Sequence, residues 1–210
     1  MIARRLGGLG GPMPLCICGP PMPPRSSRTG RATVKLRLER IPSPLGGIIL
    51  VSDGDMLHAL DFTDYEARML QLLTRYHGAC QLVPSRLISP IATALQAYFD
   101  GDMSALASIA LSPAGTPFQR AVWAALRDIP SGMTTSYGEI ARRIGRPGAS
   151  RAVGLANGAN PIAIVVPCHR VIGANAALTG YGGGLSRKAW LIEHEARHTI
   201  CCGKPPDRLI

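Results

Sequence analysis

Proline and glycine divide this chain into short segments, and that division limits the folds open to it. The 210 residues include 24 glycines and 18 prolines, and many of them fall within the first 30 positions. Both residue types interrupt helices and strands. We therefore predict an irregular tail over residues 1–31 and short elements beyond it. No apolar run approaches the roughly 18 residues of a spanning helix, so we expect no membrane association.

The charges are distributed unevenly. The formal net charge is +10. Residues 1–40 carry eight basic and one acidic residue, residues 41–115 carry three and seven, and residues 116–210 carry twelve and five. An acidic middle followed by a basic final part favours two units, with a polyanion bound by the second. A basic surface that serves only solubility remains open.

The first unit, residues 32–112, has the pattern of a small α/β domain. Apolar and charged residues alternate over Val34–Glu39, which predicts a strand. Two apolar runs flank the turn residues Ser52–Asp55 and predict a hairpin. Helical periodicity predicts helices over Tyr65–Tyr76 and Pro90–Phe99.

The second unit, residues 116–200, is mostly helical. A helix over Pro117–Asp128 is predicted, with Thr116 as its N-cap. Two short helices, Tyr137–Ile144 and Ala149–Asn157, follow with a glycine-containing turn between them, the pattern of a helix-turn-helix. The predicted fold class is α+β: an N-terminal α/β domain, then a C-terminal domain with a winged-helix-like helix-turn-helix. Residues 201–210 form a second tail.

Cys168 lies in the most informative segment of the chain. The apolar run Ile162–Val166 predicts a buried strand, and Pro167 ends it, so Cys168 is expected at a turn. A cysteine followed directly by His169 has the components of an activated thiol. A buried structural cysteine beside a hydrogen-bonded histidine is equally compatible with these residues.

The six cysteines follow neither a disulfide nor a zinc-binding spacing. We therefore expect no metal site and no disulfide framework. A reducing compartment, the cytoplasm, suits this cysteine usage.

The segment Pro167-Cys168-His169-Arg170-Val171 resembles the active-site signature of the O6-alkylguanine-DNA alkyltransferases. The resemblance covers residues 114–198 strongly and 34–112 weakly. Further motifs stand in the family's order and approximate spacing: Gly115–Gln119, Val122-Trp123, Ile129–Gly132, Ser136–Gly138, Arg151–Gly154, Asn160-Pro161, Gly180–Gly184 and Glu193–Glu195.

The resemblance implies a set of catalytic roles. Cys168 would accept the alkyl group, once and irreversibly, without a cofactor. His169 would deprotonate it through a water, and Glu195 would orient His169. This arrangement is expected to lower the pKa of the thiol below about 8.5. Tyr137 would give a proton to the leaving guanine, and Asn160 would tie the Cys168 turn to the helix-turn-helix.

The resemblance also implies a pocket for the alkylated base. Tyr181, Gly182 and Gly183 would form its wall, because glycine lets the backbone approach a flat base closely. The backbone carbonyls of Cys168 and Val171 would accept from the exocyclic amine of guanine.

The implied partner is double-stranded DNA bearing O6-alkylguanine, bound by a monomer. Arg151 would fill the gap left by a flipped base. The helix that begins near Ala149 would enter the minor groove, and arginines before it would contact phosphates: Arg142, Arg143 and Arg146. O4-alkylthymine is a further candidate substrate. Two alternatives stay open, a lesion-binding protein without transfer activity and a helix-turn-helix regulator.

Overall fold

The computed structural model describes residues 34–112, 114–175 and 177–200. The predicted tails, 1–31 and 201–210, lie outside the described residues. We refer to residues 34–112 as the N-terminal lobe and to residues 114–200 as the C-terminal lobe.

The N-terminal lobe contains a four-stranded sheet with the order β3-β2-β1-β4. β1 pairs antiparallel with β2 and parallel with β4, and β2 pairs antiparallel with β3, so the predicted hairpin is confirmed. β4 was not predicted, because its five residues, CQLVP, are too few to show an apolar–polar alternation and end in proline. The strands are β1 (Val34–Ile41), β2 (Ile48–Ser52), β3 (Leu57–Phe62) and β4 (Cys80–Pro84).

Two helices complete this lobe. α1 (Glu66–His77) begins one residue later than predicted, after a 3-10 turn at Thr63–Tyr65. α2 has the predicted bounds, Pro90–Phe99. Its start is well specified, because Ser89 accepts a 3.2 Å hydrogen bond from the Ala92 amide and proline occupies the first helical position.

The C-terminal lobe is mostly helical. α3 (Pro117–Arg127) begins with a capping box, in which Thr116 and Gln119 each accept from the other's backbone amide. The remaining elements are β5 (Thr135–Ser136), α4 (Tyr137–Arg143), α5 (Ser150–Gly158), β6 (Val171–Ile172) and α6 (Leu185–Ile200).

α4 and α5 form the predicted helix-turn-helix. The turn between them contains Gly145 (φ +68°) and Gly148 (φ +88°), backbone conformations that favour glycine. The α+β fold class is confirmed: one four-stranded sheet and six α-helices lie within the part of the chain that the structure describes.

The predicted strand at Ile162–Val166 is wrong. These residues are buried, but they form consecutive turns, with hydrogen bonds from Val166 N to Ile162 O (3.1 Å) and from Val165 N to Ala163 O (2.7 Å). Ile164 has φ +68°. Prolines at both ends of the segment oppose a continuous ladder, and an isolated bridge to Leu60 of β3 is all that remains of one.

One hydrophobic cluster extends through both lobes. It includes Leu60 and Tyr98 from the N-terminal lobe, and Trp123, Val153 and Cys168 from the C-terminal lobe. The Cys168 turn is therefore built on a packed core. None of the helices in the described ranges is long and apolar enough to cross a bilayer.

Candidate active site

Cys168 opens a 3-10 turn, Cys168–Arg170, directly after Pro167, so its expected position at a turn is confirmed. The residue is 5% exposed. Its Sγ receives a 3.2 Å hydrogen bond from Nδ2 of Asn160. The thiol therefore lies in a largely dry environment with one polar neighbour in hydrogen-bond contact.

The ionisation of Cys168 differs from the expectation. Burial raises the pKa of the thiol, against the opposing effects of the Asn160 hydrogen bond and of the charges on Arg68 and Lys188. Desolvation disfavours the charged thiolate, and the nearby donors do not overcome it. At rest, Cys168 is a thiol that needs a base.

His169 and Glu195 form a buried pair. Nε2 of His169 lies 2.8 Å from Oε1 of Glu195, and both side chains are almost fully buried. Burial lowers the pKa of His169, so the imidazole is neutral at neutral pH. A neutral ring that donates through Nε2 carries its free lone pair on Nδ1, which has no hydrogen-bond partner among the described residues.

Glu195 is held by three donors besides His169. Burial opposes its ionisation, but the hydrogen bond to His169 and the charge and hydrogen bonds of Arg170 outweigh burial and hold the pKa of Glu195 well below its usual range. The other donors are Tyr98 Oη (2.8 Å), Arg170 Nε and Nη2 (2.9 Å each) and the Gly132 amide (3.2 Å). The carboxylate is thus fixed in position and charge.

Sequence reasoning gave none of these three donors a role. Arg170 lies in the Pro167–Val171 motif, and its position directly after His169 was the available signal. Tyr98 belongs to α2 in the other lobe, 97 residues from Glu195, and no local pattern pairs them.

Asn160 joins the Cys168 turn to the segment after α5. Its Nδ2 donates to Val166 O (2.9 Å) as well as to the thiol, and its Oδ1 accepts from Ile162 N (3.0 Å). Asn157, on α5 itself, donates to Cys168 O at 3.3 Å and was not predicted.

The expected pocket residues lie on two segments, the start of α4 and the loop before α6. The Tyr137 hydroxyl, at the start of α4, accepts a 3.4 Å hydrogen bond from Thr179. The Tyr181 ring is 6.4 Å from that of His169, edge to face. A Cβ on Gly183 would lie 2.5 Å from the Phe62 ring, so the loop packs closely on the N-terminal lobe.

Lys188 holds this loop in place and was missed by the sequence reasoning. Its ammonium group is buried and donates to Val171 O (2.5 Å) and Thr179 O (2.7 Å). The Val171 carbonyl, expected to receive the exocyclic amine of guanine, is therefore already engaged through one of its two lone pairs.

The residues expected to contact DNA are grouped on α4, α5 and the turn between them. Arg151 and Arg146 are exposed, and Ala149 is the half-buried N-cap of α5. Arg142 and Arg143 both pair with Glu139, which partly neutralises them. The exposed face of α5 also presents one large apolar side chain, Leu155, which is 77% exposed.

Comparisons with known proteins identify the family of this chain. Residues 36–113 match the family model of the 6-O-methylguanine DNA methyltransferase ribonuclease-like domain, and residues 117–197 match that of the DNA binding domain. A methylated-DNA–protein-cysteine methyltransferase of Salmonella typhimurium is 47% identical over 165 residues, 77% of this chain and 96% of the relative. One from Mycobacterium leprae is 48% identical over 160 residues, 75% and 91% of the two chains.

A solved structure of Mycobacterium tuberculosis OGT in complex with DNA superposes with a TM-score of 0.66 at 44% identity, covering 77% of this chain and 94% of that one. Family models, relatives and structure together span both lobes. The chain therefore belongs to the 6-O-methylguanine DNA methyltransferase family.

Proposed function

We propose that this protein repairs DNA by moving a methyl or other alkyl group from O6 of guanine to Sγ of Cys168, once per molecule and irreversibly. The observation that carries the proposal is a buried thiol followed directly by a histidine whose ring is fixed by a buried carboxylate. The names of the similar proteins, methylated-DNA–protein-cysteine methyltransferases, support the same reaction.

His169 acts as the base. The thiol of Cys168 has a raised pKa and the imidazole is neutral, so a proton must leave the sulfur during the reaction. Nδ1 takes it, through a bridging water. Glu195 then faces a cationic ring across 2.8 Å and stabilises it, the logic of a nucleophile, a base and an orienting carboxylate.

The transfer is a nucleophilic displacement at the alkyl carbon. The Cys168 thiolate attacks the alkyl carbon, a carbon–sulfur bond forms, and the bond from that carbon to O6 breaks. The electron pair stays on O6 and spreads into the purine ring, which takes a proton from the Tyr137 hydroxyl. The product thioether has no route back to the thiol, so each molecule reacts once.

The substrate is double-stranded DNA bearing O6-alkylguanine. O6 lies inside the base stack, so the lesion must be rotated out of the duplex. Arg151, exposed at the first turn of α5, fills the vacated space, and the small residues of α5 allow close approach to the minor groove. Every residue given a role in this reaction lies in one chain, which supports action as a monomer.

Intact-protein mass spectrometry tests the proposal. Mixing with duplex DNA that carries one O6-methylguanine should add one methyl group, and peptide mapping should place it on Cys168. Cys168→Ser should gain nothing, whereas Cys80→Ser, which alters a half-buried cysteine in β4, should react like the unmodified protein. Absence of transfer, or transfer beyond one equivalent of protein, would overturn the proposal.

A further inference from the structure

The backbone between α5 and the Cys168 turn is held by the N-terminal lobe. Four successive carbonyls, beginning with that of the last residue of α5, accept hydrogen bonds, and every donor comes from β3 or α1. Gly158 O and Asn160 O accept from Arg68 Nη2, at 2.9 and 3.2 Å. Ala159 O accepts from Tyr76 Oη at 3.1 Å, and Pro161 O accepts from the Leu60 amide at 3.0 Å.

Arg68 occupies the centre of these contacts. Its Nη1 pairs with Asp61, whose carboxylate is 1% exposed and also accepts a 3.0 Å hydrogen bond from the Phe62 amide. Its other terminal nitrogen reaches the two carbonyls on either side of Ala159. The guanidinium is thus fixed on both sides. Its planar fork contacts the Asp61 carboxylate and the two carbonyls at once, which the single ammonium group of a lysine would not reproduce.

The same guanidinium lies against the pocket. A Cβ on Gly182 would be 2.7 Å from Cζ of Arg68, so the loop expected to face the alkylated base rests on this side chain. The charge of Arg68 also acts on Cys168: burial raises the pKa of the thiol, and Arg68 opposes that effect. Helix α5 ends at Gly158, where a cation is favoured by the helix dipole.

We propose that Arg68 is a positioning residue of the transfer site, which fixes the Asn160 segment and the Gly182 loop relative to Cys168 and keeps a positive charge beside the sulfur. This inference rests on the proposed function. Asn160 transmits the effect, because its carbonyl is held by Arg68 while its side chain donates to the thiol at 3.2 Å. A displaced Asn160 or Gly182 would misalign sulfur, base and alkyl carbon together.

Arg68→Met tests the proposal, because methionine keeps an unbranched apolar chain and removes the charge and the fork. The single-turnover transfer rate should fall between about 10- and 100-fold. The pH at which Cys168 begins to react with iodoacetamide, followed by peptide mapping without DNA, should rise. Arg75→Met is the matched control, since Arg75 is an exposed arginine of the same helix, and both readouts should keep their original values.

Arg68→Lys separates the two parts of the proposal and serves if Arg68→Met does not fold. It should restore most of the iodoacetamide pH profile, because the charge returns, while the transfer rate stays below that of the unmodified protein. DNA affinity in both variants should match that of Arg75→Met.

An unmodified protein that transfers methyl, together with Arg68 variants that match it in rate and pH profile, would overturn the role of Arg68 alone. An unmodified protein that does not transfer methyl would overturn the proposed function itself, whatever the iodoacetamide profiles show.

Discussion

The hydroxyl of Tyr98 donates a 2.8 Å hydrogen bond to Oε1 of Glu195, the oxygen that also faces Nε2 of His169. Burial and the neighbouring carboxylate raise the pKa of Tyr98 well above its usual value, so the hydroxyl keeps its proton. A helix of the N-terminal lobe thereby fixes the carboxylate that faces the ring of His169.

Tyr98→Phe should destabilise the protein. The change removes one hydrogen bond to a charged group and leaves the buried ring in place, so we expect a loss of about 1.5–3 kcal/mol in the free energy of unfolding. Urea denaturation measures it. Tyr65→Phe is the control, because the Tyr65 hydroxyl makes no hydrogen bond within the described ranges, and it should change stability by less than about 0.5 kcal/mol. Equal stability of the two variants would contradict the prediction.

The helices that begin with a clear capping signal were the elements that the sequence predicted best. α2 and α3 begin with a capping serine or threonine followed by proline, and both were predicted to within one residue. The predicted strand over Ile162–Val166 was wrong because these residues are apolar as a result of their burial, and not because their backbone is extended. An apolar run between two prolines can be a buried turn as readily as a strand.

Residue patterns alone predicted only the part of the site that is local in sequence. Cys168 and His169 are adjacent, and the resemblance extended the site to Glu195 and Asn160. Contacts between lobes, such as Tyr98 with Glu195 and Arg68 with Asn160, depend on packing over more than 90 residues of separation. The expected low pKa of the thiol was wrong for the same reason, since it considered the neighbours of Cys168 but not its burial.

Glu195→Gln should slow transfer. The variant removes the charge that stabilises cationic His169, so the single-turnover rate at neutral pH should fall on the order of 100-fold or more. It also leaves Arg170 buried without its counter-charge, so stability should fall as well. The rate must therefore be measured at a temperature where the variant is folded, as judged by circular dichroism.

Glu193→Gln provides the control for this change. Glu193 lies two residues earlier on α6, with a side chain 71% exposed, and its variant should keep both rate and stability. A Glu195→Gln protein that transfers at the original rate across the pH range would remove Glu195 from the mechanism and leave Cys168 and His169 as a dyad.

Stability should decrease as the pH falls from about 7.5 to about 5.5. Burial lowers the pKa values of His77, His169 and His194, whereas in the unfolded chain each histidine titrates near its ordinary value of about 6.5. The unfolded state therefore binds more protons below that pH, and acid favours it. Each histidine contributes at most about 1.4 kcal/mol per pH unit.

Chemical denaturation at the two pH values measures this dependence. His77→Gln should reduce it without changing the transfer rate, because His77 lies at the end of α1 and packs edge to face against His58 of β3. A free energy of unfolding that stays constant or rises on acidification would contradict the assignment of neutral, buried histidines.

Arg151→Ala should impair extrusion of the lesion more than chemistry. Arg151 is exposed at the first turn of α5, where its side chain is free to enter the duplex. Removing it should slow transfer from O6-methylguanine paired in a duplex. Transfer from the same lesion in single-stranded DNA should change much less, because a base that is already unpaired costs little to rotate out. Single-turnover rates on the two substrates give the ratio that tests this.

Arg86→Ala controls for the loss of one positive charge, since Arg86 is an exposed arginine of the N-terminal lobe, away from the helix-turn-helix. Its duplex-to-single-strand ratio should equal that of the unmodified protein. Duplex affinity should fall with rising salt in all three proteins, because phosphate contacts release counterions. If Arg151→Ala slowed both substrates equally, the residue would serve general DNA binding, and another side chain on the exposed face of α5, such as Leu155, would have to hold the gap open.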